Sequence, residues 1–237
     1  MREAGRVSAR ALRLVGEAVG PGVTTAELDD IAETAIRAEG GVPAFKGYHG
    51  FPKTLCTSIN CQVVHGIPSE MIKLREGDII SVDVGAIIDG YYGDNACTFP
   101  VGKISGEATR LLSATKASLE AGIVQTRAGN HLFDIGAAVQ SVAEKAGFSV
   151  VREYVGHGIG RNMHEDPNVP NYGTPGKGPR LEVGMVLAIE PMVNAGEAAV
   201  DSLPDGWTVV TRDGMLSAHF EHTVAITADG PVVLTVD

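Results

Sequence analysis

Leu74-Arg-Glu-Gly77-Asp-Ile-Ile-Ser-Val-Asp83 and Leu181-Glu-Val-Gly184-Met-Val-Leu-Ala-Ile-Glu190 are the two stretches that decide the fold. Each places a leucine, then a glycine, then an apolar run that closes on a carboxylate. They align at an offset of 107 residues, and the same offset pairs Gly22 with Gly129, Leu28 with Ile135 and Gly40 with Gly147. A constant offset over separate segments points to an internal duplication. Each half reads helix, helix, then strands carrying a carboxylate. The expectation is one α/β (α+β) domain over 1–237, with pseudo-repeat halves of about 1–120 and 121–237. A pseudo-two-fold axis would bring Asp83 and Glu190 to one site from opposite halves.

Working outward, Leu12, Val15 and Val19 recur at helical spacing and predict a helix over 3–19, stopped by Gly20-Pro21-Gly22. Thr24 with Glu27 predicts a capping box at the start of a second helix that runs to Gly40-Gly41. β-Branched runs predict strands over 54–60 and 79–88, with 91–99 returning after a turn at Asp89-Gly90. Helices follow over 107–121 and 131–146, then strands over 148–154, 186–192, 208–211, 219–227 and 232–236. The segment 168–179 is dense in Pro and Gly and reads as a loop.

A chain of 237 residues can bury a sizeable core. Its net charge of −10 argues against a nucleic-acid or anionic-membrane surface. Cys56, Cys61 and Cys97 are an odd set without a C-x-x-C pair, which argues against a disulfide framework and for a reducing, cytoplasmic setting. The start of the chain carries no apolar signal-peptide run, and no stretch approaches the apolar length of a membrane span.

Five residues stand in or beside apolar strand sequence: Asp83, Asp94, His157, Glu190 and Glu221. A carboxylate in a buried strand must be paired or must bind a metal. Singly, each could be a strand-end residue or an ion-pair partner. Gathered together, four carboxylates would repel without cations, and few Lys or Arg lie near them in sequence. Two divalent cations would balance the four charges. Oxygen donors plus one imidazole suit cobalt, manganese, iron or zinc. Carboxylate-bridged ion pairs activate water and polarise carbonyls. G-x-S-x-G and the phosphate-loop pattern are both missing, and Gly156-His-Gly-Ile-Gly160 has the wrong spacing for a dinucleotide fingerprint.

In order and local context these five residues resemble the metal ligands of the methionine aminopeptidases. Gly47-Tyr-His-Gly50, Val64-His-Gly-Ile-Pro68, Gly156-His-Gly-Ile-Gly-Arg161, Ile189-Glu-Pro-Met192 and Phe220-Glu-His-Thr223 look like that family's signatures, and the likeness covers nearly the whole chain. It implies the pita-bread fold, a curved antiparallel sheet with helices on its outer face. At this length the chain resembles the type I form. Type II relatives carry an extra helical insertion, and proline-specific relatives an additional N-terminal domain. The chain also begins where relatives usually have a short leader.

The resemblance implies Asp94 and Glu221 as bridging ligands, Asp83 as a bidentate ligand of one ion, and His157 with Glu190 on the other. It makes Glu190 the proton shuttle. It places His65 at the scissile amide nitrogen and His164 at the oxyanion. Tyr48, His49, Phe51, Cys56 and Trp207 are implied as the wall or rim of a methionine pocket. The implied partner is the N-terminal methionine of nascent chains with small second residues, met at or near the ribosome, by a monomer. Two other readings share these residues: a proline-directed peptidase of the same fold, and a non-catalytic binding relative. Met163 stands where relatives are often aromatic, and Gly85 where they often carry a hydroxyl, so changes in pocket shape and supporting hydrogen bonds are expected. His131, His219 and His222 are read as surface residues or supports behind the site.

Overall fold

The spacing of apolar residues becomes four helices in the computed structural model, which describes residues 1–237: α1 (Arg2–Ala18), α2 (Thr25–Ala38), α3 (Gly106–Gln125) and α4 (Leu132–Lys145). The Thr24 hydroxyl accepts the Glu27 N–H, and the Glu27 carboxylate accepts the Thr24 N–H, so the expected capping box forms. At the start of α4 the Asp134 carboxylate likewise accepts the His131 N–H.

Before α3 lie β1 (Val42–Pro43), β2 (Leu55–Ile59), β3 (Gln62–Val64), β4 (Ile79–Ile88) and β5 (Tyr91–Pro100). After α4 come β6 (Ser149–Val150), β7 (Gly156–Gly158), β8 (Glu165–Val169), β9 (Val186–Ile189) and β10 (Met192–Asn194). The chain then adds β11 (Val200–Ser202), β12 (Val209–Thr211), β13 (Ser217–His219), β14 (Glu221–Thr227) and β15 (Gly230–Val233). Nine strands form one antiparallel sheet in the order β1-β4-β5-β14-β9-β7-β8, with β2 also on β4 and β15 also on β14. It curls into a half-barrel. Two small sheets, β13-β10-β6 and β11-β12-β3, complete the fold.

The β4–β5 hairpin turns at Asp89 and Gly90, whose φ angles of 51° and 76° fit the two left-handed positions of a tight hairpin turn. The expected strand over 232–236 shifts to β15, the short β1, β3, β7, β8 and β11 were not expected, and three expected runs divide or contract. The run over 186–192 divides at Pro191, which has no N–H to donate to a ladder. β9 stays in the main sheet, while β10 leaves it to pair with β13. The run over 219–227 divides at Phe220 for the same reason of sheet exchange. The run over 148–154 contracts to β6, although Val151 still donates its N–H to the Met192 carbonyl. β8 also takes the first two residues of the expected loop.

Two-residue periodicity divides the sheet into an apolar face and a polar one. Ile80, Val82, Val84 and Ala86 of β4 pack with Val7, Leu12 and Val15 of α1 and with Leu28 and Ile36 of α2. Leu187 and Ile189 of β9, with Val224 and Ile226 of β14, pack with Leu111 and Leu119 of α3 and with Ile135 of α4. The alternate residues of these strands point to the other face. The offset of 107 residues also relates pairs of backbone contacts. Gly22 donates to the Leu74 carbonyl and Gly129 to that of Leu181, while the bridges Thr24↔Lys73 and His131↔Arg180 repeat the offset.

Candidate metal centre and active site

Strand register alone puts the five ligand-type side chains on one face. Asp83 lies opposite Ala96, and Ala96 lies opposite Glu221. Asp94 is two residues from Ala96 and therefore shares its face. Thr223, two residues after Glu221, lies opposite Ala188, and Ala188 lies opposite His157. Glu190, two residues beyond Ala188, completes the set. The Thr223 hydroxyl accepts the Asp94 N–H at 3.0 Å and donates to the Asp94 carbonyl at 2.8 Å, locking β5 to β14 at the centre. Asn171 donates to the Glu190 carbonyl at 3.0 Å, holding the chain where it leaves β9.

Asp94, His157 and Glu221 offer ligand atoms that all lie within 4.8 Å of one another. His157 Nε2 is 4.0 Å from Asp94 Oδ2 and 3.5 Å from Glu190 Oε1. His157 Nδ1 lies 2.9 Å from the Gly158 carbonyl, an acceptor, so the ring proton sits on Nδ1 and Nε2 faces the carboxylates with its lone pair. Asp83 Oδ1, Asp94 Oδ1 and Glu221 Oε1 are buried without a hydrogen-bond partner. The positively chargeable groups within 4 Å of Asp94, Glu190 and Glu221 are histidines alone.

Burial pushes the Asp94 carboxyl up to about 7. Burial, then the neighbouring carboxylates, pushes Asp83, Glu190 and Glu221 well above the usual carboxylate range. Such groups need either protons or cations. Orphaned oxygens around a bare imidazole nitrogen fit divalent metal ions, and the donor set matches hard-to-borderline ions of the kinds expected.

The cavity above this cluster measures about 230 Å³, and every residue expected in the site lines it. His65 and His164 line it together with the five ligand-type residues. Burial holds the His65 imidazole down to about 4, and burial also lowers His164, so both rings are neutral near pH 7. Tyr48 Oη is 2.7 Å from His164 Nδ1, and the His164 ring centroid is 4.2 Å from that of His157. Phe51 and Trp207 meet edge to face with centroids 5.1 Å apart. The Asp205 carboxylate accepts the N–H groups of Trp207 and Thr208, fixing the turn that presents the indole. Cys56 lies opposite Asp83 in β2, and burial followed by the Asp83 charge pushes its thiol well up, so it is a neutral wall. His49 is exposed, with φ 48° in the short helical turn Tyr48–Gly50.

Phe45 was not foreseen as a pocket residue, whereas Met163 was expected to affect the pocket's shape. Phe45 lines the cavity from the segment ahead of the turn, and Met163 is a buried part of the wall. Gly85 explains Phe45: a Cβ there would come 2.8 Å from Phe45 Cε1 and 2.9 Å from Ala44 Cβ. Its missing side chain is the space that Phe45 fills. His219 is not on the surface. It is 1% exposed and lies behind Glu190 and Glu221. The alternation His219-Phe220-Glu221 already puts His219 on the ligand side. His131 sits at the start of α4, and His222 Nδ1 is 2.8 Å from Thr235 Oγ1, away from the cavity.

The chain is 55% identical over 235 residues to a methionine aminopeptidase of Clostridium acetobutylicum, covering 99% of this chain and 94% of the relative. It is 53% identical over 235 residues to methionine aminopeptidase 1 of Bacillus subtilis, with the same coverage. The crystal structure of methionine aminopeptidase from Thermotoga maritima superposes with a TM-score of 0.99 at 46% identity, covering 100% of this chain and 95% of that one. The model of metallopeptidase family M24 matches residues 1–228, and the chain belongs to that family.

Proposed function

We propose that this protein hydrolyses the first peptide bond of polypeptides that begin with methionine and carry a small second residue. Two divalent cations, of cobalt, manganese, iron or zinc, would be held by Asp83, Asp94, His157, Glu190 and Glu221. Asp94 and Glu221 come from the paired strands β5 and β14 and would serve both ions. Asp83 would serve one ion, and His157 with Glu190 the other. When bound, such an ion pair activates water and polarises a carbonyl.

The chain's own groups supply the rest. Phe45, Phe51, Cys56, Met163 and Trp207 bind the unbranched thioether side chain through soft and aromatic contacts. Tyr48 and His49 stand at the mouth, where the second residue passes. His164 donates from Nε2 to the oxygen that becomes negative, because Nδ1 accepts from Tyr48. His65 orients the scissile amide nitrogen. Glu190, whose proton affinity burial raises, takes a proton at its carboxylate and passes it to the leaving amine. Residues 1–237 act as one catalytic domain and as a monomer, in the cytoplasm, on chains emerging from the ribosome. No helix is long and apolar enough to cross a membrane.

The observation that carries this reading is the convergence of orphaned carboxylate oxygens in a cavity walled by apolar, aromatic and sulfur-bearing side chains. The test is release of methionine from Met-Ala-Ser with each of the four ions added to chelator-treated protein. Cleavage of X-Pro dipeptides in preference would favour a proline-directed peptidase. Inactivity with every ion would leave only a binding role and would defeat the proposal.

A further inference from the structure

We propose that His219 is a positioning residue of the metal centre: its Nε2–H lies between the outer oxygens of Glu190 and Glu221 and sets how both carboxylates face the cations. This rests on the metal-centre reading above and deepens it. His219 ends β13 opposite Met192 of β10, two residues past Glu190 and two residues before Glu221. Its side chain is 2% exposed, and Nε2 has no hydrogen-bond partner within the protein. Nε2 is 3.9 Å from Glu190 Oε2 and 4.0 Å from Glu221 Oε2.

Those distances exceed a hydrogen bond, but a modest rotation of either carboxylate closes one. A lone pair on Nε2 would face two carboxylates and be repelled. A proton there is attracted by both. Glu190 thus stands between two imidazoles of opposite polarity. His157 presents a bare Nε2 to Oε1 at 3.5 Å, and His219 presents its Nε2 to Oε2.

The backbone under His219 is fixed. The Thr98 hydroxyl accepts the His219 N–H at 2.8 Å, donates to the His219 carbonyl at 2.8 Å, and lies 2.8 Å from Ser81 Oγ. The ring is thus carried on a backbone held from both its N–H and its carbonyl, the kind of anchor that a group orienting metal ligands needs.

The experiment is calorimetric titration of Mn²⁺ into chelator-treated protein, for the unaltered chain, H219L and H219Q, with Met-Ala-Ser hydrolysis alongside. H219L fills the volume without a donor and is expected to bind Mn²⁺ roughly 10- to 100-fold more weakly. H219Q keeps an N–H donor and is expected to bind within about threefold of the unaltered protein. Full affinity in H219L overturns the inference, and so does an H219Q as weak as H219L, which would instead make the imidazole nitrogen itself a ligand. If H219L does not fold, H219N takes its place: its shorter amide falls short of both carboxylates, so weak binding supports the inference and full affinity overturns it. An unaltered protein that binds no Mn²⁺ would defeat the metal-centre reading itself, a result distinct from either of these.

Discussion

Tyr48 Oη lies 2.7 Å from His164 Nδ1, joining two residues 116 positions apart in the chain. The contact couples the tautomer of His164 to the direction of the phenol's hydrogen bond. With the phenol donating to Nδ1, the ring proton belongs on Nε2. Tyr48→Phe is expected to lower kcat on Met-Ala-Ser by roughly tenfold, with KM moving less, because an oriented partner of a catalytic imidazole acts mainly in the transition state. Steady-state kinetics at saturating Mn²⁺ measure it. An unchanged kcat would remove Tyr48 from this role.

The metal-free protein should lose stability as pH rises. Asp94 is held up at about 7 from an ordinary value of 3.8, and Asp83, Glu190 and Glu221 are raised as well. A folded-state pKa above the unfolded value means the fold binds more protons than the unfolded chain between the two. That stability is complete below the unfolded pKa and is lost as pH climbs through the folded one. Below about pH 6.5 the buried histidines, whose pKa values are lowered, act in the opposite sense, so calorimetry in chelator should show Tm falling from about pH 7 to about pH 8. Excess Mn²⁺ should flatten the slope, because a cation bound only to the folded state stabilises it by mass action. A metal-free Tm that rises over the same interval would contradict the electrostatics of the site.

Glu190→Gln keeps the shape of the side chain and removes its basicity. The expected loss in kcat is roughly 100- to 10,000-fold, the usual range for a positioned acid–base group. Mn²⁺ affinity should fall too, since a neutral amide is a poorer donor to a cation. Activity retained in this variant would separate Glu190 from proton transfer.

Gly85→Ala tests the space that Phe45 fills. The new Cβ would lie 2.8 Å from Phe45 Cε1, and one of them must shift. Overpacking of this kind costs about 1–3 kcal/mol. A displaced Phe45 narrows the methionine pocket, so KM should rise severalfold while Mn²⁺ affinity holds. Kinetics and a urea denaturation curve read the two effects separately.

Thr24→Ala removes one arm of the α2 capping box, neither of whose residues lines the cavity. The expected cost is about 1 kcal/mol, seen as a lower urea midpoint at unchanged slope. Activity per folded molecule should stay the same.

Much of the architecture was legible because it is local. All four expected helices form, with ends within about four residues of expectation; apolar spacing predicted α1, the Thr24–Glu27 pair the start of α2, and Asp89-Gly90 the hairpin that carries Asp83 and Asp94. The carboxylates could be singled out because charge inside a β-branched run conflicts with burial, and such a conflict marks a site before any coordinates exist. The family likeness named the residues at the cavity, and all of those residues line it.

What sequence could not supply depends on contacts between distant segments. Nothing local says that the chain changes sheets at Phe220, so His219 stayed open between the surface and a support behind the site, although alternation put it on the side of Glu221. Phe45 enters the wall only because Gly85, on a strand 40 residues away, leaves room for it. Residue types and period determined which side chains are available and on which face of each element they lie. Only the tertiary structure decided which of them meet, because distance across a curled sheet depends on strand order and register, and neither is encoded within one strand.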